Sequence, residues 1–510
     1  METNGTLQLY PFLRIAGLFL GGILLAAHFS SVPSYGWLLA AAVALVFSIL
    51  QKKNPIASTT FLFACILMMG GWRMAVHNEH FVLPQEDYYE YDAVVASQPV
   101  QHGKVLMCDL IVTSFQKPVK VSASIFNDEN SRKLEVGSGI HALSFFEHPR
   151  NFEDAKYDYR SYLLHHGYVA TTFLYSGEWT PARFSLKCLS MVQRARLTLL
   201  RYRASIIRRL AGSGMEMRHL AFVAAMSLGD KTLLDKETRT LFSITGTSHV
   251  LALSGLHFGI IYSLLMLLPF CRRHYFWGTV FVLMALWSFA MLAGLSSSIV
   301  RAAIMFSIYS VAQMSRRNTQ GLNSLALAAF IMLAVSPNNI YDVGFQMSFA
   351  AVFFIVLFHQ PFTANPRFRK KFYDSPSNRW PWAARWVWKT LTVSLSAQLG
   401  VAPLLAYHFH YLSAHFIIAN FIVIPATAFI ISMSIPLILC CKIEPVFMVL
   451  KDMLAFVVSL LESALRWIGE MPFPVFDNVH INAIQTMALY TAILSLSLLF
   501  INFSRDGLHS

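Results

Sequence analysis

Residues 247–259 read Thr-Ser-His-Val-Leu-Ala-Leu-Ser-Gly-Leu-His-Phe-Gly, and the apolar sequence around them continues to Phe270. Polar groups are costly in a lipid-spanning helix, so they usually face a cavity, a partner or a substrate path. Glycines let the backbone break, which a membrane tolerates only where protein or water covers the break. The stretch therefore predicts an interrupted membrane segment with path-lining positions at His249, Ser254, Gly255 and His257. Close helix packing through small residues is the alternative.

The composition is typical of a membrane protein. Of the 510 residues, 55% are hydrophobic and only 13% are charged. A membrane-crossing helix needs about 20 apolar residues, and about twelve apolar runs approach that length. We therefore predict a polytopic α-helical membrane protein with about 12 membrane segments, some of them broken or re-entrant. Its 6 cysteines form no CxxC pair, so we expect no disulfide framework, no metal site and no cofactor.

Basic residues recur after alternate apolar runs. They are Lys52, Lys53, Arg272, Arg273, Arg316, Arg317, the basic residues of loop 367–385, and Lys442. If the chain alternates from a cytoplasmic N-terminus, all of them lie on the cytoplasmic side, which is the positive-inside pattern. The same alternation places residues 76–247 outside the cytoplasm.

The region between the third and fourth runs alternates in the manner of β-strands. Hydrophobic and polar residues alternate over 119–125, residues 105–112 indicate a buried strand, and residues 137–139 indicate a turn. We predict three membrane helices over 1–75 and a small β-barrel or sandwich over 76–180. The 8 Lys/Arg and 14 Asp/Glu residues of 76–180 do not favour nucleic-acid binding by charge.

The charge reverses over residues 181–218, which hold 9 Lys/Arg residues and one acid. Arg194, Arg201 and Arg208 recur every seven residues, so they share one face of a predicted amphipathic helix. We expect this helix to lie at the membrane interface with its arginines against lipid phosphates. The alternative is a basic collar that gathers an anionic polymer at a pore entrance.

Two further groups of polar residues lie in the multi-helix region over 219–510. Serine hydroxyls at a helix start, together with the free N–H groups of the first turn, suit an anion, and an arginine there adds a fixed charge. The residues of this first group are Gly294, Ser296, Ser297, Ser298 and Arg301. An arginine that reaches the outer interface beside ordinary helix caps is the alternative. The second group, Gln346 and Ser348, lies inside a later apolar run and is a candidate for the same path.

Three histidines superficially resemble a metal site, but no acidic residue lies near them in sequence. They are His408, His410 and His415. Loops rich in aromatic residues and histidine at the membrane interface explain them more simply.

Ser254 and His257 permit a hydroxyl nucleophile beside a base. An intramembrane serine hydrolase that uses these two residues is therefore an alternative, although no orienting acid is near in sequence.

Two patterns of soluble enzymes are missing from the sequence. There is no GxxxxGK[ST] loop, so we expect no nucleotide hydrolysis by that route. There is no His-x-His-x-Asp-His run, and few residues follow the last apolar run. We therefore expect no soluble catalytic domain at that end and no enzyme activity.

Several motifs resemble the ComEC family of competence proteins. The most specific is the stretch from His249 to Gly259. The other motifs are Gly229-Asp-Lys231, Phe242, Gly294, Arg301 to Met305, Asp342 to Ala350, Gln398 to Gly400 with Pro403, and Asn420 with Pro425. Upstream, Asn151-Phe-Glu-Asp, Asp158-Tyr-Arg160 and Gly167 resemble the end of the extracytoplasmic OB-type domain of this family.

The resemblance implies a channel in the bacterial cytoplasmic (inner) membrane for one DNA strand during natural transformation, with 219–510 as the channel domain. It implies an OB-like β domain, and a short member without the C-terminal metallo-β-lactamase-like domain of longer members. The implied partners are single-stranded DNA, membrane lipids, an outer-side DNA receptor, and a cytoplasmic translocase or single-strand-binding protein. A homo-oligomer stays open, and so does a secondary transporter of a small anionic solute.

Overall fold

The structure is a computed structural model that describes residues 10–81, 83–115, 117–151, 158–182, 188–314, 321–364, 382–472 and 475–506. The chain forms two compact units. The first comprises Met1–Ile206, Ser288–Leu295 and Ala326–Asp342, and the second comprises Ile207–Trp287, Ser296–Leu325 and Val343–Ser510. Some features noted in the sequence lie outside the described residues: residues 152–154 of the upstream motif, Arg316, Arg317, and most of the basic loop 367–385.

The first unit begins with three helices. They are α1 (Pro11–His28), α2 (Ser34–Leu50) and α3 (Pro55–His80). Proline opens α1 and α3 at a position where its missing N–H has no partner within the helix. Asn54 caps α3, since its side-chain oxygen accepts the N–H of Ala57. Both α1 and α2 pack along α3.

Glycines allow α1 and α3 to approach closely. Gly22 lies against the Leu67 carbonyl, and Gly70 lies against the Phe19 carbonyl. Small residues at such crossings let two helix backbones come together, which is a common device of membrane helices.

A barrel-like β domain follows in the first unit. Its described elements are β1 (Tyr88–Val95), β2 (Val100–His102), β3 (Val105–Val112), β4 (Val119–Phe126), β5 (Gly139–Glu147), α4 (Tyr159–His165), β6 (Tyr168–Leu174) and β7 (Trp179–Ala182). Because β1 pairs with both β3 and β5, the order β1-β3-β4-β6-β5 closes on itself. Strands β4 and β6 are parallel, and the other barrel pairs are antiparallel. The small β domain predicted from the sequence is therefore confirmed.

Side-chain alternation builds the core of the barrel. Successive side chains of a strand point to opposite faces, and every second residue of β3 and β4 is buried. These core residues are Leu106, Cys108, Leu110, Val112, Val121, Ala123 and Ile125. Burial raises the pKa of the Cys108 thiol to about 12, so this cysteine is a small apolar core residue and not a reactive thiol.

Helix α5 (Met191–Ala211) packs against the β domain. A buried cluster joins the helix and the segment just before it to the domain, and its members are Val94, Ala96, Val136, Leu189, Leu197 and Leu200. The sequence predicted a longer basic amphipathic segment, 181–218, at the membrane interface with its arginines against lipid phosphates. The structure buries part of the apolar face of α5 against the β domain, a contact that periodicity alone does not predict.

The β domain carries a carboxylate–imidazole cluster with a predictable pH response. His141 Nδ1 lies 2.7 Å from Asp92 Oδ1, and His141 Nε2 lies 3.1 Å from Glu90 Oε1. The hydrogen bond with Asp92 raises the pKa of His141, and Glu90 adds to this effect. A raised native pKa stabilises the fold below about pH 6.5, the unperturbed histidine value. That contribution is lost as the pH rises through the native pKa.

We therefore expect strands β1 and β5 to open more readily at pH 8 than at pH 6. Hydrogen exchange of peptides from these strands in the full chain, corrected for intrinsic rates, measures this change. The variant His141→Gln lacks the titrating group, so its corrected exchange should not differ between the two pH values. A difference that persists in the variant would assign the pH response to another group.

Residues of the later segment Ala326–Asp342 contact earlier parts of the first unit. Arg73 of α3 donates to the carbonyls of Ala334 at 2.7 Å and Val335 at 2.6 Å. These carbonyls end a helix, where orphan acceptors favour a cationic donor. The ring of Tyr341 stacks on His165 with centroids 4.2 Å apart.

Helices dominate the second unit. Its described elements begin with α6 (Met217–Val223), which a π-helical turn over Ala224–Leu228 continues. The others are α7 (Lys236–Ile244), α8 (Ser248–Leu251), α9 (Gly255–Met266), α10 (Pro269–Arg273), α11 (Tyr275–Leu292), α12 (Ser297–Met314), α13 (Gly321–Val335), α14 (Val343–Ala364), α15 (Trp382–Phe409), β8 (Tyr411–Ser413), α16 (Phe416–Leu439), α17 (Glu444–Gly469), β9 (Val475–Asp477) and α18 (Ala483–Asp506). Helices α5, α11 and α13 have residues in both units.

Helix α9 has a central place in the second unit. It contacts both α12 and α16. Helix α12 contacts α14, α14 packs along α15, and α16 contacts both α15 and α17. Gly400 explains the close fit of α14 and α15, because a β-carbon at this position would lie 2.7 Å from the Ala350 carbonyl oxygen.

Four described helices are long and apolar enough to cross a membrane by length and composition. They are α1, α3, α15 over Arg385–Phe409, and α16. Shorter apolar helices include α2, α9, α13 and the apolar parts of α11, α14 and α18. The predicted class, a mostly helical protein with an inserted β domain, is thus confirmed. The number of about 12 segments stays a prediction, as does the division at 75, 180 and 218.

Candidate functional site

The backbone breaks within the stretch 247–259. Helix α8 ends at Leu251, Ala252 is extended with ψ of 122°, and Ser254 is extended with φ of −123° and ψ of 175°. Helix α9 then starts at Gly255. The interruption predicted from the glycines of this stretch is therefore confirmed.

Local hydrogen bonds and one glycine fix the entry to this break. Gly246 has φ of 69°, in the left-handed region that glycine adopts without strain, and it ends the turn after α7. A β-carbon at Gly246 would lie 3.1 Å from Cβ of Phe416 in α16. The buried hydroxyls of Thr245 and Thr247 are 2.9 Å apart and hydrogen-bond to each other.

His257 has one defined tautomer in the neutral ring. Its Nδ1 accepts the backbone N–H of Ser254 at 3.2 Å. The proton of a neutral imidazole must then reside on Nε2, which becomes a donor. The side chain is fully buried at 0% exposure, and Nε2 has no hydrogen-bond partner. His257 therefore presents an unsatisfied N–H at the first turn of α9.

The same geometry bears on the hydrolase alternative. Ser254 Oγ lies 3.1 Å from His257 Nδ1, which is within reach for a nucleophile and its base. That nitrogen, however, already accepts the backbone N–H of Ser254 and so closes the start of α9. In the described part of the chain, no carboxylate orients His257 Nε2. Helix capping accounts for this pair without chemistry.

Arg301 of α12 lies against the start of α9. A β-carbon at Gly255 would lie 3.7 Å from Arg301 Nη2. The side chain is only 5% exposed, and its Nε and Nη1 have no hydrogen-bond partner. The nearest aromatic contact is the ring of Phe349, 5.8 Å from the guanidinium carbon. Among the residues that the structure describes, no carboxylate pairs with Arg301.

Three features of one polarity therefore meet at the first turn of α9. They are the positive end of the α9 dipole with its free N–H groups, the buried Arg301 guanidinium, and the donor Nε2 of His257. We call them the donor site. Burying an unpaired charge costs several kcal/mol in proteins, and each buried donor without an acceptor costs about 1–3 kcal/mol. An oxyanion such as phosphate is the ligand that a buried guanidinium beside a helix start would accept.

Two predicted path residues of α14, Ser348 and Gln346, have polar partners on neighbouring helices. Ser298 Oγ, near the start of α12, lies 3.4 Å from Ser348 Oγ. Gln346 Oε1 lies 3.0 Å from Nε2 of His408 in α15. The sequence did not single out His408 as a path residue, because its partner is 62 residues away.

His249 and the loop before α12 complete the predicted path residues. The His249 side chain is exposed. Gly294 has φ of 90° and Leu295 φ of 59°, so two left-handed residues turn the chain before α12. The Ser296 carbonyl accepts the N–H of Val300 at 2.9 Å, and Ser297 opens the helix.

His410 and His415 contact neighbouring protein groups, and the described residues hold no group of three or more ligands suited to a metal ion. His415 is buried, and its Nε2 lies 3.1 Å from the Met471 carbonyl. The His410 ring packs on His480 with centroids 4.3 Å apart.

The arginines of α5 already have some protein contacts. Arg194 Nε donates to the Leu189 carbonyl at 2.8 Å. Arg201 Nε donates to the Val136 carbonyl at 3.0 Å, and its Nη2 donates to the Gly137 carbonyl. The side chains of Arg194, Arg201 and Arg208 are exposed. The basic collar and the contact with lipid phosphates both stay predictions.

Comparison with known proteins decides the family. The sequence model described as "Competence protein" matches residues 226–502, which is more than half of the chain. The chain belongs to the competence protein family. The match includes the break, Arg301, and the helices from α7 to α17. This family member therefore carries the donor site inside the matched region.

Three relatives show how much of this chain, and how much of each relative, the similarity covers. ComE operon protein 3 of Bacillus subtilis is 26% identical over 360 residues, which cover 67% of this chain and 41% of the relative. Recombination protein 2 of Haemophilus influenzae is 28% identical over 231 residues, which cover 42% of this chain and 27% of the relative. An uncharacterized protein of Aquifex aeolicus is 31% identical over 189 residues, or 37% of this chain and 39% of the relative. The aligned part thus spans about two fifths or less of each relative. No solved structure matches the chain.

Proposed function

We propose that this chain forms the inner-membrane conduit through which one DNA strand enters the cytoplasm during natural transformation. The observation that carries the proposal is the donor site. It is a buried, unpaired guanidinium beside the start of an interrupted helix, with donors and no acceptor. Such a site is suited to the phosphates of a passing strand. Membership of the competence protein family supports the same function.

The number of phosphates in transit explains why the donors are few. A strand carries one phosphate per about 3.4 Å, so a passage as thick as the lipid core holds on the order of nine charges. A conducting path must bind each phosphate well enough to admit it and weakly enough to release it. One arginine, serine hydroxyls at Ser298 and Ser348, and a helix start meet both needs better than a dense lysine cluster.

The proposal also includes the remaining features that were predicted from the sequence. The N-terminus is cytoplasmic, residues 76–247 lie outside, and the barrel is an OB-type domain on the outer face. Residues 219–510 form the channel domain, and Arg194, Arg201 and Arg208 form a collar for the incoming polyanion. The partners are single-stranded DNA, lipids, an outer-side DNA receptor, and a cytoplasmic translocase or single-strand-binding protein that pulls the strand.

A transporter of a small anion is the second candidate, because a single phosphate-sized anion would also satisfy the donor site. The two functions differ in what the path must admit. A strand needs a continuous row of phosphate contacts, whereas a small anion needs one enclosed site.

Deletion and complementation test the proposal. In a transformable host whose own gene is deleted, this chain should restore entry of labelled DNA into the cytoplasm. Undiminished DNA uptake in the deletion strain would refute the proposal, and so would restored small-anion uptake without DNA entry. A complementing Ser254→Ala allele separates conduit from hydrolase. A conduit loses one neutral hydrogen bond and less than about tenfold in uptake, whereas a hydrolase loses all turnover.

A further inference from the structure

Helices α9 and α12 run side by side in the same direction. Near their starts, Gly255 lies beside Arg301, and one turn later a β-carbon at Gly259 would lie 3.9 Å from Phe306. Further along, Tyr262 contacts both Phe306 and Tyr309. The donor site therefore occupies one end of this helix pair.

Aromatic rings continue from the donor site along the pair. Phe258 and Phe306 have centroids 6.4 Å apart, Tyr262 and Phe306 5.0 Å, and Tyr262 and Tyr309 6.5 Å. Phe258 is fully buried, Phe306 and Tyr262 are half-buried, and Tyr309 is 40% exposed. We call Phe306, Tyr262 and Tyr309 the aromatic ladder; Tyr309 is its most exposed ring.

Polar groups surround the far end of the ladder. Tyr262 and Tyr309 line a recess together with Thr279, Ser310 and Gln313. Gln313 Nε2 donates to the Tyr309 hydroxyl at 2.6 Å. Ser310 Oγ is buried in the structure and has no hydrogen-bond partner. Hydroxyl and amide groups that converge on a concave surface are unsuited to hydrocarbon and suited to a polar ligand with flat faces.

We propose that the aromatic ladder stacks the unpaired bases of the strand whose phosphates contact the donor site. This inference rests on the proposed function and names its substrate class, which is nucleic acid with exposed base faces. Every base has a π-face, so stacking on aromatic side chains binds single strands with little sequence preference. A duplex cannot present its bases in this way. The ladder would therefore make the conduit select single strands.

The dimensions suit a short stretch of strand. Arg301 and Tyr309 are eight residues apart in one helix, which is about 12 Å along its axis. At about 3.4 Å per phosphate, this length corresponds to three or four nucleotides. One guanidinium can thus hold a phosphate while neighbouring bases reach the ladder.

Binding of defined oligonucleotides to the full chain in lipid nanodiscs tests the inference. The probes are a fluorescent single-stranded oligothymidylate, an abasic phosphate–deoxyribose oligomer of equal length, and a duplex. We expect the single strand to bind about tenfold more tightly than the abasic oligomer. Tyr309→Leu should remove most of that difference and leave abasic binding intact, which also shows that the variant is folded. Tyr35→Leu, at a tyrosine of α2 that is 74% exposed, is the matched control and should change neither affinity.

The outcomes distinguish the two proposals. If neither the single strand nor the abasic oligomer binds, the proposed function itself fails. If both bind equally and Tyr309→Leu changes nothing, DNA passage stands and the aromatic ladder is refuted. Equal affinity for the duplex would also refute it. A loss of abasic and single-strand binding together in Tyr309→Leu would give the tyrosine a structural role only.

Discussion

Replacing Arg301 by methionine is expected to reduce DNA uptake about 10- to 100-fold and at the same time to stabilise the protein. The guanidinium is 5% exposed, and its Nε and Nη1 have no acceptor. Replacement of buried charges by apolar residues of similar size can stabilise a protein by about 1–4 kcal/mol. In transit, the strand would lose a charge-assisted contact worth about 1.5–3 kcal/mol. Opposite changes in stability and function are the signature of a site kept for a ligand.

Uptake of labelled DNA and the unfolding midpoint of the detergent-purified protein measure these two effects. Arg466→Met is the matched control, because Arg466 is exposed and pairs with Glu237 at 2.8 Å and Glu462 at 3.2 Å. The control should not gain stability and should keep its uptake. A lower unfolding midpoint for Arg301→Met would instead show that Arg301 holds the fold together.

Replacing Gly22 by alanine is expected to disrupt the packing of α1 on α3, whereas the same change at the neighbouring Gly21 is not. A β-carbon at Gly22 would overlap the Leu67 carbonyl oxygen and lie 2.8 Å from its carbon and 2.9 Å from the Gly71 nitrogen. These are backbone atoms and cannot rotate away. Overpacking of this kind costs about 1–3 kcal/mol or more. A β-carbon at Gly21 meets nothing within 4 Å.

Thermal unfolding of the purified variants and their abundance in the membrane measure the effects of the two substitutions. Gly21→Ala should be neutral or slightly stabilising, since alanine favours a helix over glycine by about 1 kcal/mol. Equal behaviour of the two variants would mean that α1 and α3 do not approach each other as closely as the structure shows.

The parts of the fold that are local in sequence could be predicted from it. Alternation over 119–125 predicted a strand, and β4 covers it. The glycines of the stretch 247–259 predicted a break, because glycine permits an abrupt change of backbone direction. Both signals arise from a few neighbouring residues.

Contacts between distant residues could not be predicted in the same way. The closure of the barrel depends on the pairing of β1 with β5, and α5 packs against Val136 of the β domain, far from it in sequence. Arg301 was a candidate from its place near a helix start, but its contact with Gly255 required the packing of α9 on α12. The aromatic ladder shows no pattern in sequence, since its rings come from two separate helices.

The donor site links the break in the chain to the proposed passage. The break exposes a helix start, the helix start lies beside a buried guanidinium, and His257 adds a donor at the same turn. A helix that continued unbroken from α8 to α9 would satisfy its own N–H groups and offer the anion only a side chain. The interruption therefore supplies backbone N–H donors without adding to the net charge of the protein.

Photo-crosslinking during uptake tests whether the DNA strand passes the donor site. A photoreactive residue replaces Leu256, which is 37% exposed and adjoins the donor site, in cells that are taking up labelled DNA. A second strain carries it at Leu39 of α2, which is 66% exposed and distant in sequence. We expect a single-stranded DNA adduct at position 256, none at position 39, and loss of the adduct when Arg301 is also replaced. Continued uptake with no adduct at position 256 would contradict it.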